Sequence, residues 1–150
     1  MTETTVPEFL DALTPFVGRW RMAAGFAPTT ADAPRAFTSF EWLSGRRFLV
    51  QRWEVDHPDA PDGIAIIGFD TDKKTYVQHY FDSRGVARLY DMTFADGVWT
   101  LQRIGAHPDF SQRFTGRFGG DDNTIVGRWD MSRDGSNWSH DFDLTYTRAE

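Results

Sequence analysis

The chain has no cysteine, only two lysines (Lys73 and Lys74), and no long apolar run. Without cysteine there are no disulfides, no thiolate catalysis and no Cys-ligated zinc or iron–sulfur site. Sixteen basic residues against 22 acidic ones leave a net charge of −6 over 150 residues. That balance argues against nucleic acid or an anionic membrane as the main partner, because both require a concentrated basic face. No segment has the length and apolarity of a membrane-spanning helix, and the start MTETTVPEF lacks the basic region and apolar core of a signal peptide. The expectation is a soluble cytoplasmic protein. A Gly-x-Ser-x-Gly elbow, a phosphate loop and a dinucleotide fingerprint are missing as well. The pairs Gly119-Gly120 and Asp121-Asp122 fall in a turn, where such residues serve chain reversal and solvation. Asn137-Trp138-Ser139 fits a glycosylation sequon, which has no meaning without secretion.

Hydrophobic residues make up 40% of the sequence and aromatic residues 15%, enough to build a core for one domain over residues 1–150. Only Pro7 to Leu13 has a helical pattern, two turns long, before Pro15 interrupts it. Beyond it, β-branched and apolar runs alternate with turn chemistry such as Ser44-Gly45, Thr71-Asp72, Asp82-Ser83-Arg84-Gly85, Ala95-Asp96-Gly97 and Arg133-Asp134-Gly135-Ser136. The spacing predicts about ten strands, at roughly 17–26, 35–43, 47–56, 64–70, 75–82, 86–94, 98–104, 110–118, 123–132 and 137–148. Every connection is too short for a crossover helix, so the topology is an antiparallel meander. Closure into an all-β barrel removes the two exposed edges that such a meander would otherwise carry. Connections alternate between the barrel ends. Three at one end are long and proline-bearing (APTTADAP, HPDAPDG and GAHPD), which marks that end as the mouth. The helix enters at the other end and is placed to plug it.

Several stretches carry a resemblance. Gly18-Arg19-Trp20, directly after the helix, is similar to the Gly-x-Trp start of lipocalin-type (calycin) barrels. The block from Phe40 to Val50 and the ending from Asp134-Gly135-Ser136-Asn137-Trp138 through Asp143 to Arg148 resemble a large group of small, lipocalin-like bacterial proteins of unknown function. Nitrobindins are a neighbouring family with a ten-strand barrel that holds haem through a histidine on the last strand. His140 has a similar place here, and Trp20, one glycine and Pro28-Thr29 echo the nitrobindin first strand. This resemblance implies a lipocalin-like barrel and makes haem, ligated by His140, one implied cofactor.

Strand alternation nominates the interior residues. Trp20, Met22 and Ala24 share one face of the first strand; Gln51 shares the Leu49, Trp53 and Val55 face; Arg88, Tyr90, Met92 and Phe94 share another; Ile125, Gly127, Trp129 and Met131 a fourth. In the last strand His140, Phe142, Leu144 and Tyr146 alternate with Asp141, Asp143, Thr145 and Thr147, and the first set is expected inside. The expected ligand-binding set is therefore Trp20, Met22, Gln51, Trp53, Arg88, Tyr90, Met92, Trp129, His140, Phe142 and Tyr146. An aromatic and methionine wall suits an apolar cavity, and equally a fully packed barrel. An inward arginine would favour a carboxylate or phosphate on the ligand. Arg52, Arg88 and His79 lie in strands where the pattern leaves their direction open. His57-Pro58-Asp59 and His107-Pro108-Asp109 fall in mouth loops, where a divalent metal is geometrically conceivable, although His-Pro-Asp is also ordinary turn chemistry.

The leading expectation is a binding module that takes a small, largely apolar molecule into the barrel without a cofactor, as a monomer or homodimer. Its alternatives are a haem protein with nitrogen-oxide or peroxynitrite chemistry at the iron, a cofactor-free isomerase or cyclase using His140, Tyr90 or Arg88, and a packed barrel whose outer surface meets a protein partner.

Overall fold

A computed structural model describes residues 6–24, 36–56, 61–104 and 110–149. A short helix, α1 (Val6–Asp11), runs into a 3-10 turn at Thr14–Phe16, the change forced by Pro15. Ten strands follow: β1 (Gly18–Ala24), β2 (Ala36–Trp42), β3 (Leu49–Val55), β4 (Gly63–Asp70), β5 (Thr75–Asp82), β6 (Ala87–Ala95), β7 (Val98–Arg103), β8 (Ser111–Phe118), β9 (Thr124–Ser132) and β10 (Trp138–Ala149). Each pairs antiparallel with its neighbours in sequence, and β1 pairs with β10, so the sheet is a closed barrel. The expected strands are present with their ends displaced by two residues at most. The tightest turn shows how sequence specifies register: Asp96 and Gly97 both take positive φ (53° and 74°), the mirror-image turn whose twist matches a two-residue hairpin between β6 and β7. Among the described residues, no helix is long and apolar enough to cross a membrane.

The helix closes the end of the barrel carrying the tight turns. Phe9 stacks on Phe69 at 4.3 Å, and the Tyr76 hydroxyl donates to the Phe9 carbonyl. Leu13 and Phe16 are wholly buried. Phe16 enters the barrel and lies among Phe40, Phe94, Trp99 and Phe118, with ring centroids 4.8 to 5.2 Å away. Trp20 on β1 donates its indole N–H to the Phe16 carbonyl at 2.9 Å, which ties the plug to the wall. Above this base Leu49, Ile67, Met92, Phe114 and Ile125, all wholly buried, pack together in the middle of the barrel. The glycines of β8 and β9 make that packing possible, because an ideal Cβ on Gly127 would stand only 2.6 Å from the Phe114 ring. Interior burial of rings this size is the main source of stability for such a barrel.

Candidate functional site

At the opposite end, where β1, β3 and β7 finish and β2, β4 and β8 begin, inward side chains stay partly open to solvent. Met22, Trp53, Tyr80, Arg88, Arg103, Gln112, Trp129 and Phe142 are half-buried. The long connections assigned to this mouth fall largely outside the described residues, as do His57, Asp59, His107 and Asp109 of the conceivable metal cluster.

The mouth chamber is built from an arc of rings. On β3, Trp53 lies across Gly63 of β4, where an ideal Cβ would come within 2.0 Å of the indole; no side chain other than glycine's hydrogen leaves room for it. Trp53 stacks on Tyr80 of β5 at 5.2 Å. Tyr80 meets Tyr90 of β6 edge-on at 6.2 Å, Tyr90 reaches Trp129 of β9 at 5.9 Å, and Trp129 stacks with Phe142 of β10 at 6.5 Å. Because β7 and β8 separate β6 from β9, the Tyr90–Trp129 contact crosses the interior and floors the chamber.

Polar groups are set into this arc. The Tyr80 hydroxyl donates to Asp82 Oδ2 at 2.7 Å, and Arg84 clamps the same carboxylate through Nη2 at 2.7 Å and its backbone N–H at 2.9 Å. The Arg84 guanidinium and these donors hold the Asp82 carboxyl well below the usual carboxylate range, while burial and the neighbouring Asp82 push the Tyr80 hydroxyl up. Next to it, Gln112 Oε1 accepts from the Tyr90 hydroxyl at 2.8 Å and from Arg88 Nη1 at 3.2 Å. Burial raises the Tyr90 pKa, opposed by the charges of Arg88 and Arg103. Arg103 donates to the Phe110 carbonyl at 3.2 Å, and Arg88 lies 5.2 Å from the Phe110 ring. Neither arginine meets a carboxylate among the described residues. Gln78 of β5 is 3% exposed, and its Oε1 has no hydrogen-bond partner among the described residues.

The expected interior residues divide into three groups. Trp20, Met92, Gln51 and Tyr146 are inward but belong to the packed core: Gln51 Nε2 donates to Thr38 Oγ1 at 3.1 Å, and the Thr38 hydroxyl donates to the Arg52 carbonyl at 3.0 Å. Met22, Trp53, Arg88, Tyr90, Trp129 and Phe142 line the chamber or its floor. His140 does neither, and the expectation of an inward imidazole is corrected. The pairing of β10 with β9 shifts between His140 and Phe142, a bulge at Asp141. Phe142 then pairs with Trp129 and faces in, whereas His140 pairs with Asp130 and faces out. One extra residue inverts the alternation on its far side. The His140 ring bonds Asp143 Oδ1 through Nε2 at 2.9 Å on the outer surface. A haem held in the barrel by His140 does not fit this arrangement, since the imidazole points away from an interior that Phe114, Trp129 and Leu144 already occupy. Arg52 and His79, whose directions were open, also face outward and are exposed, Arg52 next to Glu41 at 3.5 Å.

A shallow depression of about 660 Å³ lies on that outer surface of β8 to β10, lined by Arg113, Arg117, Arg128, Asp130, Trp138, His140 and Asp143 among others. Its charges largely satisfy one another: Arg128 Nη2 is 2.7 Å from Asp130 Oδ1, and Arg113 Nε is 3.9 Å from Oδ2 of the same carboxylate. It is a solvated, self-compensated face, and we favour the mouth chamber as the site. Sequence reasoning missed Gln78, Arg103 and Gln112 there. Each sits on an inward position of its strand, but in short strands of mixed polarity no single face stands out.

The fold and site together define a closed ten-stranded antiparallel barrel, plugged by a helix at one end and carrying half-buried inward aromatic and arginine side chains at the other. The chain belongs to the DUF1579 family, a protein family of unknown function, whose model matches residues 10–148. Its structure is similar to the crystal structure of Rv2717c from M. tuberculosis, with a TM-score of 0.63 over 94% of this chain and 97% of that one. At 15% identity, that likeness concerns the fold alone. No curated protein matches the chain.

Proposed function

We propose that the protein binds a small, largely apolar molecule in the mouth half of its barrel. One observation carries this reading: Trp53, Tyr80, Trp129 and Phe142 point inward yet stay partly exposed beside the inward polar groups Arg88, Arg103 and Gln112, whereas at the base Leu13, Phe16, Trp20, Phe40 and Trp99 are fully buried and Phe69, Phe94 and Phe118 pack partly buried against them. Inward apolar surface left open to water is a driving force for ligand uptake, roughly 25 cal/mol for each Å² covered. The lipocalin-like resemblance of Gly18-Arg19-Trp20 agrees with an interior site. The ligand meets aromatic and arginine side chains directly, so the reading requires no cofactor.

Binding is favoured over isomerase or cyclase chemistry by the state of the polar groups. The Tyr80 and Tyr90 hydroxyls are both held protonated by burial, and His140 lies outside the barrel, so among the described residues no chamber side chain is poised as a general base near neutral pH.

Titration with N-phenyl-1-naphthylamine, a neutral dye that brightens in apolar surroundings, tests the reading. The expected result is saturable enhancement at one equivalent with energy transfer from tryptophan, weakened at least tenfold by Ala24→Trp, which fills the mouth from the end of β1. Absence of saturable binding, or binding indifferent to Ala24→Trp, overturns it.

A further inference from the structure

Among the described residues, the inward side of the mouth carries two cations with no counter-ion and one buried acceptor with no donor. Arg88 on β6 and Arg103 on β7 are inward and half-buried. Gln102 pairs with Asp91, which sets Arg103 beside Tyr90, and Arg103 itself pairs with Gln112 of β8 as Gln102 does with Arg113. Among the described residues, the neighbouring carboxylate Asp82 is already neutralised by Arg84 at 2.7 Å. Over the whole chain the net charge is −6, so a locally uncompensated pair of guanidinium groups is contrary to the general trend. Partly desolvated arginine is costly unless an anion or several acceptors meet it, and its planar donor fork matches an acid group. Here the partners are weak: one shared amide oxygen, one backbone carbonyl and the face of Phe110. Gln112 spends its Oε1 on Tyr90 and Arg88, which leaves its Nε2 as a further donor.

On the other side of Tyr90, Gln78 pairs with it across β5 and β6. Its Oε1 is buried and unpartnered among the described residues, an unfavourable state unless a donor arrives. Gln78 and Arg103 therefore flank Tyr90 on the two adjoining strands, about 10 Å apart at the backbone by two strand spacings.

We propose that the natural ligand is an aromatic organic anion: its acid group is held between Arg88 and Arg103, its ring lies on the Trp53, Tyr80 and Trp129 arc, and an N–H or O–H donor near the acid meets Gln78 Oε1. This rests on the chamber as the binding site and adds the chemical class of its occupant. A plain hydrocarbon would leave all three polar groups as they are. An amphipathic acid satisfies them together.

The test compares 1-anilinonaphthalene-8-sulfonate with N-phenyl-1-naphthylamine, which differ only by the sulfonate. Both are titrated against the native protein and against Arg88→Gln, Arg103→Gln and Arg117→Gln, the last on the outer face, with thermal melts reporting that each variant folds. The sulfonate dye is expected to bind at least tenfold more tightly than the neutral one at one equivalent. Arg88→Gln and Arg103→Gln should each remove most of that preference, the sulfonate dye losing far more affinity than the neutral one, while Arg117→Gln changes neither. Gln78→Met should weaken the anilino dye several-fold but not 1-naphthalenesulfonate, which has no N–H. Equal binding of the two dyes to native protein, a preference surviving both inner arginine changes, or one abolished by Arg117→Gln overturns the anion proposal and leaves the chamber standing. If neither dye binds, the chamber reading falls and the proposal with it.

Discussion

The Arg148 guanidinium lies 3.9 Å from the centre of the Trp20 ring, so a residue near the end of the last strand covers the indole that anchors the first. The same side chain donates to the carbonyls of Val17 at 2.7 Å, Pro15 at 2.9 Å and Asp122 at 2.9 Å. It thereby joins the helical plug, the start of β1 and the β8–β9 turn at the seam where the barrel closes. Three charge-assisted hydrogen bonds and a cation–π contact on one group make it the principal clasp of the base. Arg148→Met, which retains an apolar stem over Trp20 but no donors, should lower unfolding free energy by about 2–4 kcal/mol. Arg148→Lys should recover only part of that, because one ammonium cannot span three carbonyls in the same geometry. Chemical denaturation monitored by tryptophan fluorescence measures both.

Trp53 depends on Gly63 for its place. A Cβ there would stand 2.0 Å from Cζ2 of the indole and 2.7 Å from the Phe81 carbonyl, and the carbonyl cannot step aside. Gly63→Ala should therefore move the indole off Tyr80. The expected outcome is a red-shifted tryptophan emission, a loss of about 1–3 kcal/mol in stability, and weaker binding of N-phenyl-1-naphthylamine. An unchanged emission maximum with unchanged dye affinity would show that Trp53 has no part in the chamber wall.

Gln78 gives a prediction of opposite sign. Replacing it with methionine keeps the length of the side chain and removes the acceptor that lacks a donor. The ligand-free protein should become about 1 kcal/mol more stable, although the position is buried and polar. Most substitutions at buried positions destabilise, so a raised melting temperature here is a discriminating result. A melting temperature several degrees below native would mean that the amide makes a contact the barrel depends on.

Asp82 governs the acid limb of stability. Its carboxyl is held below the ordinary value of 3.8 chiefly by Arg84, then by the Tyr80 hydroxyl and the Arg84 backbone N–H. A carboxyl depressed in the folded state contributes fully above its unfolded pKa and loses that contribution as pH falls toward the folded one. The native protein should therefore lose stability steeply below about pH 4. Asp82→Asn should be less stable near neutral pH, and its deficit should shrink as the pH is lowered from 5 to 2. Melting temperatures of the two proteins across that range provide the check; a deficit that stays constant would remove Asp82 from the acid response.

Much of this protein was legible one segment at a time. Turn residues such as Asp96-Gly97, the alternation within each run, and the placement of Pro15 depend on local conformational preference, and the strands, the meander and the plugging helix follow from them. Alternation also oriented Trp53, Tyr90 and Trp129 correctly, because their strands pair without interruption over those positions. The composition of the site was another matter. Tyr90 and Trp129 meet across two intervening strands, and Arg103, Gln112 and Gln78 gather around Tyr90 only because the barrel closes at one particular register. His140 shows the limit most clearly. Its side is set by the bulge at Asp141, and the bulge exists only in the pairing of β10 with β9. Alternation counts residues along one chain, whereas the face a residue presents is decided by its partner strand, so the imidazole that the sequence pattern placed inside the barrel was turned outward by tertiary structure.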